Sequence, residues 1–226
     1  MAFSLIKTST MVLADEIIGK AFKNNKLIYT EKHNAKILSN KKYEEIETSY
    51  RGIDDIEFAH IKSNFKKNDF VPDVFFQDLR NNSQEKIAFD ENKHEIQIER
   101  SSGLVVTKKQ LPLFSNSILG QGFHNYIVSH FDQLLANNDN SPQRVSFIIT
   151  NPADQFNFSI MLDKKNDEYA WINVKPSNIF ISAFVPTINL CYERKSMRLK
   201  TFKGLSNIED KDGKSQEVVI EYQYIN

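Results

Sequence analysis

The chain of 226 residues is poor in several features that would narrow its class. It contains 1 Cys, 7 Gly, 6 Pro and 1 Trp. A single Cys excludes a disulfide framework and a zinc site built from several cysteines. The 29 basic and 29 acidic residues balance, which argues against a generic nucleic-acid surface, since such a surface needs excess positive charge. No stretch approaches the roughly 18 apolar residues of a membrane-spanning helix.

Length and composition together predict one globular domain over residues 21–226. Apolar residues make up 40% of the chain, and a chain of this size buries roughly 70% of its unfolded surface. No Pro/Gly/Ser-rich linker, internal repeat or low-complexity tract divides it. We interpret residues 1–20 as a disordered arm or the remnant of a signal peptide. Val12 and Ala14 have the small-residue spacing of a signal-peptidase site, but the preceding apolar stretch is shorter than usual.

Alternation of apolar and polar residues with a period of two predicts that most of the chain is β-strand. In Gln155–Leu162, for example, Phe156, Phe158, Ile160 and Leu162 share one face. Pairs of Asn at 24–25, 81–82 and 137–138 are interpreted as turns, because Asn tolerates positive φ. Strands are predicted over 26–33, 43–50, 56–65, 74–80, 86–89, 95–100, 144–150, 155–162, 168–174, 179–184, 188–193, 197–203 and 217–224.

One segment has helical periodicity instead. Between Leu119 and Ala136 the apolar residues recur at steps of three and four, which places them on one face of an α-helix. The predicted fold is therefore mainly β: a large curved antiparallel sheet or an open barrel, with one main helix at about 119–136 packed on it.

Four segments resemble an uncharacterised family of bacterial envelope proteins. They are the strand 26–33 (Lys-Leu-Ile-Tyr-Thr-Glu-Lys-His), the stretch 72–80, the helix start 122–127 (Gly-Phe-His-Asn-Tyr-Ile) and the C-terminal hairpin 199–224. The resemblance implies a periplasmic or secreted location, with the cytoplasm as the alternative, and implies no activity. The family is similar in architecture to periplasmic lipoprotein carriers, but architecture does not determine function.

The first functional hypothesis is a non-enzymatic envelope protein without a cofactor. It would hold a lipid or another apolar ligand in the space between sheet and helix, because Phe and Ile exceed what a sheet with one buried face needs. The residues expected to contact that ligand are Phe123, Tyr126, Ile127 and Phe131.

The second hypothesis is a hydrolase-like enzyme with a polar site built from His124, Asp78, Arg80 and His33. It requires these four side chains to converge in a cleft. The simpler interpretation is structural: His124 bonds a neighbouring loop, and Asp78 and Arg80 form an ion pair. His124 and His130 differ by six residues and point about 120° apart on a helix, so they cannot share a metal ion.

The third hypothesis is a secreted interaction module that binds a protein partner through a sheet edge or through basic loops at Lys66-Lys67 and Lys108-Lys109. Other motifs favour structural roles. Cys191 has no neighbouring base and is expected to be a buried thiol. The acidic stretch 207–213 lacks the ligand spacing of an EF-hand and is interpreted as a hairpin turn, so no metal site is predicted.

Overall fold

The computed structural model describes residues 12–136, 141–182 and 185–225. In this part of the chain there are fifteen strands and three short helices. In chain order these are β1 (Val12–Lys23), β2 (Lys26–Leu38), β3 (Tyr43–Arg51), β4 (Glu57–Asn64), β5 (Asp73–Asp78), β6 (Ser83–Asp90), β7 (Glu95–Ser102), β8 (Val105–Pro112), β9 (Ser117–Leu119), α1 (Gly122–Ser129), α2 (Phe131–Ala136), β10 (Gln143–Thr150), β11 (Ala153–Lys165), β12 (Tyr169–Pro176), α3 (Ile179–Ser182), β13 (Ile188–Glu193), β14 (Leu199–Leu205) and β15 (Glu217–Ile225).

All fifteen strands belong to one hydrogen-bonded sheet, in the order β8-β7-β6-β5-β4-β3-β2-β1-β15-β14-β13-β12-β11-β10-β9. β1 lies in the middle and pairs with β2 on one side and β15 on the other. Neighbouring strands are antiparallel except β9 and β10, which are parallel. β8 and β9 are the terminal strands of this order, so the sheet is not closed. The predicted class, an open antiparallel sheet with helix packed on it, is confirmed.

The antiparallel meander gives the sheet two distinct ends, because the chain reverses at each hairpin and alternate turns return to the same end. Turns at 39–42, 65–72 and 194–198 lie at one end, which we call the cavity end because of the cavities described below. Turns at 52–56, 79–82 and 103–104 lie at the other end, which we call the hairpin end.

Residues 12–20, which we interpreted as part of a disordered arm or the remnant of a signal peptide, are ordered in a strand. They belong to β1, whose residues pair with β2 from Val12↔Leu38 onward and with β15 from Glu16↔Ile225. The disordered-arm interpretation was wrong here because it relied on the spacing of Val12 and Ala14, although Ile17 of the same segment is a buried core residue. Residues 1–11 lie outside the described part of the chain.

The predicted helix at 119–136 is shorter and is divided in two. Leu119 belongs to β9, Gly120 has a positive φ of 48°, and α1 begins only at Gly122. His130 separates α1 from α2, with φ −114° and its Nδ1 2.8 Å from the Tyr126 carbonyl oxygen. Apolar spacing alone could not reveal this break, because the buried face continues through it.

The strand predicted at 179–184 is also wrong. Ile179–Ser182 is the short helix α3, with the backbone N–H groups of Ile181 and Ser182 bonded to the Asn178 carbonyl oxygen at 3.1 and 3.0 Å. A run of β-branched and aromatic residues favours a strand, but Ser177-Asn178 before it offers a helix start. Residues 183–184 lie outside the described part. The other predicted strands are present with shifted ends, whereas β1, β8 and β9 were not predicted.

Two of the three Asn-Asn pairs form turns as predicted. Asn24, Asn25 and Asn82 have φ between 51° and 61°, in the left-handed region. The pair at 137–138 lies outside the described residues.

The largest core cluster lies between helices α1 and α2 on one side and strands β10 to β14 on the other. Its helical members are almost completely buried and touch aliphatic and aromatic side chains of the strands. At roughly 1.5–3 kcal/mol for each large apolar side chain, this contact is the main reason that the helices dock on the sheet. The buried residues are Ile118, Tyr126, Ile127, Phe131, Leu134, Val145, Phe158, Ile160, Ala170, Ile172, Val174, Leu190, Tyr192 and Leu199.

Candidate functional site: cavities beside His124

The N-terminus of α1 is fixed to the cavity end by two residues of the Gly-Phe-His-Asn-Tyr segment. A Cβ atom at Gly122 would lie 1.9 Å from the Phe70 carbonyl oxygen, so only glycine permits this approach of helix and loop. Asn125 is fully buried and accepts from the Tyr43 backbone N–H at 2.7 Å. Its amide nitrogen donates to the carbonyl oxygens of Tyr43 and Asp69, both at 3.0 Å. The segment therefore joins α1 to the start of β3 and to the loop 65–72.

His124 lies between these anchors and is buried. Its Nδ1 is 3.2 Å from the Tyr192 hydroxyl, and its ring donates a hydrogen bond to the backbone of Lys41. The imidazole also stacks on Tyr43, with ring centroids 4.3 Å apart. Burial lowers the pKa of His124 to about 4, so the ring is neutral at pH 7. In this neutral ring, the nitrogen that donates to the Lys41 backbone carries the proton, and Nδ1 accepts a hydrogen bond from the Tyr192 hydroxyl. Both ring nitrogens therefore have a partner.

Two tyrosines complete an aromatic group around His124. The side-chain hydroxyl groups of Tyr43 and Tyr224 are hydrogen-bonded to each other. Burial raises the pKa of Tyr43 and raises that of Tyr224 to about 12, so both phenols stay protonated at neutral pH. The polar atoms of Tyr43, His124 and Tyr224 bond to protein groups, so the parts of these rings that line the cavities described below are apolar.

A cavity of about 110 Å³ opens at the cavity end beside this aromatic group, and we call it the outer cavity. Aliphatic side chains and the three rings form most of its wall, and one acidic and two basic residues lie among its lining. Its residues come from β1, the end of β2, the turn between β2 and β3, the start of β3, α1, the turn before β14, and β15. They are Leu13, Asp15, Ile37, Leu38, Lys41, Tyr43, His124, Ser196, Met197, Arg198 and Tyr224.

A second space of about 60 Å³, which we call the inner cavity, is lined by the same three rings. Tyr43, His124 and Tyr224 line both cavities, so these three residues stand between them. The inner cavity adds Gln121 and Phe123 from the start of α1, and residues of the strands, namely Ile17, His33, Ile46, Leu199 and Tyr222.

The backbone at the outer cavity has an unusual conformation. Seven described residues other than glycine have positive φ, and five of them are Asn, Asp or His, the types that tolerate it best. The other two, Lys41 at 69° and Met197 at 56°, both line the outer cavity. Conformations of this kind concentrate at ligand-binding and catalytic sites, where the surrounding structure maintains them.

A buried polar network runs from the sheet to the start of α1 and contains His33. Tyr222 donates to Glu31 Oε2 at 3.2 Å, and the same oxygen is 3.0 Å from His33 Nε2. His33 Nδ1 is 2.7 Å from the Thr48 hydroxyl, which accepts from the Gln121 side chain at 3.3 Å. Such networks hold their members in one arrangement because each buried polar atom needs its partner. His33 therefore helps to position Gln121 and the helix that follows it.

Asp78 and Arg80 form a separate pair at the hairpin end. Arg80 Nε donates to Asp78 Oδ1 at 2.9 Å, and the Arg80 backbone N–H donates to the same atom at 3.0 Å. Burial raises the pKa of Asp78, but the bonds from Arg80 outweigh it and leave the pKa below its usual value. The guanidinium also lies 4.6 Å from the centre of the Phe58 ring. Both charges are thus used to close the turn after β5.

The four candidate catalytic residues do not form one site. Within the described residues, hydrogen bonds join Asp78 to Arg80 but join neither His33 nor His124 to that pair. His33 and His124 both line the inner cavity. Each already has a protein partner for both ring nitrogens.

Of the residues predicted to contact a ligand, Phe123 lines the inner cavity. Tyr126, Ile127 and Phe131 line neither cavity and pack in the main core cluster.

The remaining motifs have structural surroundings. Burial raises the pKa of the Cys191 thiol, which lies in β13. Asp210 accepts the backbone N–H groups of Asp212 and Lys214 at 3.0 and 2.9 Å, which forms the expected acidic turn. Lys67 pairs with Asp73 in the loop 65–72, whereas Lys108 and Lys109 lie in strand β8 and not in the predicted loop.

Two general tests for function give negative results within the described part of the chain. No group of three or more His, Cys, Asp or Glu side chains could hold a metal ion. None of the described helices has the length and apolar character needed to cross a membrane.

Sequence reasoning identified His124, Phe123 and His33 but missed the other main residues of the cavities. Tyr43 and Tyr224 stood at the ends of predicted strands, and Asp15 stood in the supposed arm. The available signal was the polar pair His124-Asn125 within an apolar helical face, since buried polar residues require specific partners.

The chain was also compared with known proteins. No protein-family model and no curated protein matches it. The resemblance to an envelope family stays a prediction.

Proposed function

We propose that this chain is a non-enzymatic protein of the bacterial envelope that binds the apolar part of a ligand, such as the end of a lipid chain, in the outer cavity. The observation that carries the proposal is the cavity itself: an opening of about 110 Å³ lined by aliphatic and aromatic side chains beside a packed core. The envelope location depends on the sequence resemblance alone.

The size of the cavity limits what it can bind. Typical ligand pockets occupy roughly 300–1,000 Å³, and an apolar cavity of about 150 Å³ accepts benzene. Benzene has six carbon atoms, so by proportion a cavity of 110 Å³ holds roughly four. The proposed ligand therefore inserts one end of a chain and leaves the remainder outside. This site replaces the predicted one between sheet and helix, where Ile127 and Phe131 pack closely.

The lining suits a binding role. The polar atoms of His124, Tyr43 and Tyr224 bond to protein groups, so an apolar ligand covers no unsatisfied donor. The Met197 side chain can adapt to the shape of a ligand, because an unbranched thioether fills irregular space. The left-handed backbone of Lys41 and Met197 is consistent with selection for the shape of this opening.

Catalysis receives less support. A general base needs a nitrogen or oxygen within reach of a substrate proton. Both ring nitrogens of His124 are already bonded, and burial keeps its pKa near 4. The hydrolase hypothesis also required Asp78 and Arg80 in the same cleft, and they lie at the other end of the sheet. The interaction-module hypothesis stays a prediction.

The test is binding of 1-hexanol, measured by isothermal titration calorimetry on delipidated protein. We expect one saturable site in the native chain. Leu38→Trp should weaken binding at least tenfold because the indole occupies the cavity. Leu13→Trp, at a half-exposed position on the rim, provides a second blocking variant that places less demand on folding. Leu79→Trp, at an exposed position of the hairpin end, is the matched control and should bind like the native chain.

Native mass spectrometry of the protein purified from its own host should also reveal a co-purifying apolar molecule. Absence of saturable hexanol binding, or equal binding by both blocking variants and the control, would overturn the proposal.

A further inference from the structure

The rim of the outer cavity has an excess of positive charge. Its charged lining residues are Asp15, Lys41 and Arg198, and the neutral His124 adds no charge. Asp15 is paired, since Arg198 Nη2 donates to its Oδ2 at 2.9 Å. The described residues provide no hydrogen-bond acceptor or acidic partner for the Lys41 side chain, which is exposed beside the opening. One lysine charge at the rim is therefore left unbalanced.

Neighbouring charges do not remove this excess. Lys42, the next residue, pairs with Asp69 and is balanced. Glu193 reaches the rim only by accepting a hydrogen bond from the Ser196 hydroxyl and does not itself line the cavity. The Arg198 guanidinium is held over the Tyr224 ring, 4.6 Å from its centre, so its position is fixed by Asp15 and Tyr224 together.

From this arrangement we infer that the ligand of the outer cavity is an anionic amphiphile of the fatty-acid type: an unbranched aliphatic chain with a carboxylate at the rim beside Lys41. The inference rests on the proposed function and deepens it by naming the ligand class. Roughly four carbons fill the cavity, so a chain of about six places its carboxylate outside the aliphatic wall, at the level of the lysine. A free carboxylate can accept from the Lys41 ammonium without displacing Asp15 from Arg198.

The Lys41 ammonium is solvent-exposed, which limits the expected size of its effect. Ion pairs in water are weak and are screened by salt. We therefore expect Lys41 to improve carboxylate binding about three- to tenfold, and the apolar wall to supply most of the affinity.

The test compares hexanoate with 1-hexanol at pH 7.5 and low ionic strength, by calorimetry on four proteins: native, Lys41→Gln, Lys41→Glu and Lys195→Glu. Lys195 is an exposed residue of the 194–198 turn at the same end that does not line the cavity, so it controls for long-range electrostatics. We expect hexanoate to bind the native chain more tightly than hexanol. Lys41→Gln should remove that preference, Lys41→Glu should reverse it, and Lys195→Glu should leave it within about twofold.

The outcomes separate this inference from the proposed function. Equal binding of hexanol and hexanoate by native protein, or equal losses in Lys41→Glu and Lys195→Glu, would overturn the assignment of an anionic ligand and leave the apolar site standing. Binding of neither probe would overturn both. If a charge variant failed to fold, its far-ultraviolet circular dichroism would reveal this, and the native comparison of the two probes would still decide the question.

Discussion

Strands β10 to β14 and strand β8 belong to the same sheet but are stabilised differently. The former lie against α1 and α2, and their inward residues, such as Ile160, Ile172 and Val145, are fully buried. β8 terminates the sheet, and Leu111 alone among its residues is even partly buried. Hydrogen bonding to one neighbour is therefore enough to form a strand, whereas contact with α1 and α2 creates the largest core cluster.

The hairpin that holds β8 has favourable local chemistry. Ser102 pairs with Val105 across a two-residue turn, and Gly103 at its first position has φ 58°, as a type II′ turn requires. Lys108 and Lys109 on this terminal strand oppose edge-to-edge association. β8 therefore depends on turn geometry and pairing with β7 more than on burial.

The largest effect should come from removing a helical side chain of the core. Phe131→Ala should lower the free energy of unfolding by about 3–5 kcal/mol, because Phe131 is 1% exposed and packs on Tyr192. The matched change Phe114→Ala, at a residue 48% exposed between β8 and β9, should cost less than about 1.5 kcal/mol. Urea denaturation measures both values. Similar losses in the two variants would show that the helix-covered region is not the main source of stability.

A second effect, specific to the α1 region, should appear as a pH dependence. The pKa of His124 is about 4 in the folded chain and 6.5 in the unfolded chain, so the unfolded chain binds the additional proton between these values. The free energy of unfolding should thus fall by about 3 kcal/mol as the pH decreases from about 6.5 to about 4, and this contribution should be constant below that range.

The variant His124→Phe isolates this contribution, since phenylalanine retains an aromatic ring against Tyr43 and does not titrate. Between pH 6.5 and pH 4 the free energy of unfolding of the native chain should fall by about 3 kcal/mol more than that of the variant. Urea denaturation at a series of pH values gives both curves. Parallel curves would mean that His124 is not held neutral by burial.

The smallest effect should come from the tip of the β7–β8 hairpin. Leu104 is fully exposed, so Leu104→Ser should change the free energy of unfolding by no more than about 0.5 kcal/mol. Thermal unfolding of the variant measures this. A loss comparable with that of Phe131→Ala would show that Leu104 packs against part of the protein in solution.

The fold class could be predicted because most strands have one buried face, and alternation in Gln155–Leu162 or Glu95–Arg100 records that face directly. β8 could not be found in this way, since Val105, Val106 and Leu104 are all exposed and no alternation distinguishes its two faces. The division of the helix at His130 was also invisible, because it depends on a local bond to the Tyr126 carbonyl oxygen.

The cavities were beyond sequence reasoning for a different reason. Their walls combine β1, the turn at 39–42, α1, the turn at 194–198 and β15, which are far apart in the chain. Only the pairing of β1 with β15 at the centre of the sheet brings Asp15 and Tyr224 to the same end. What the sequence did reveal was His124, because a histidine within an apolar helical face requires partners.

The most direct test of the binding site is nuclear magnetic resonance of protein labelled with ¹³C at the methionine methyl groups, titrated with 1-hexanol. Met197 lines the outer cavity, whereas Met161 lies in β11 and lines neither cavity. We predict a saturable shift of the Met197 methyl resonance with no comparable shift of Met161. An unchanged Met197 resonance, or equal non-saturating shifts of both, would contradict the assignment of the outer cavity as a ligand-binding site.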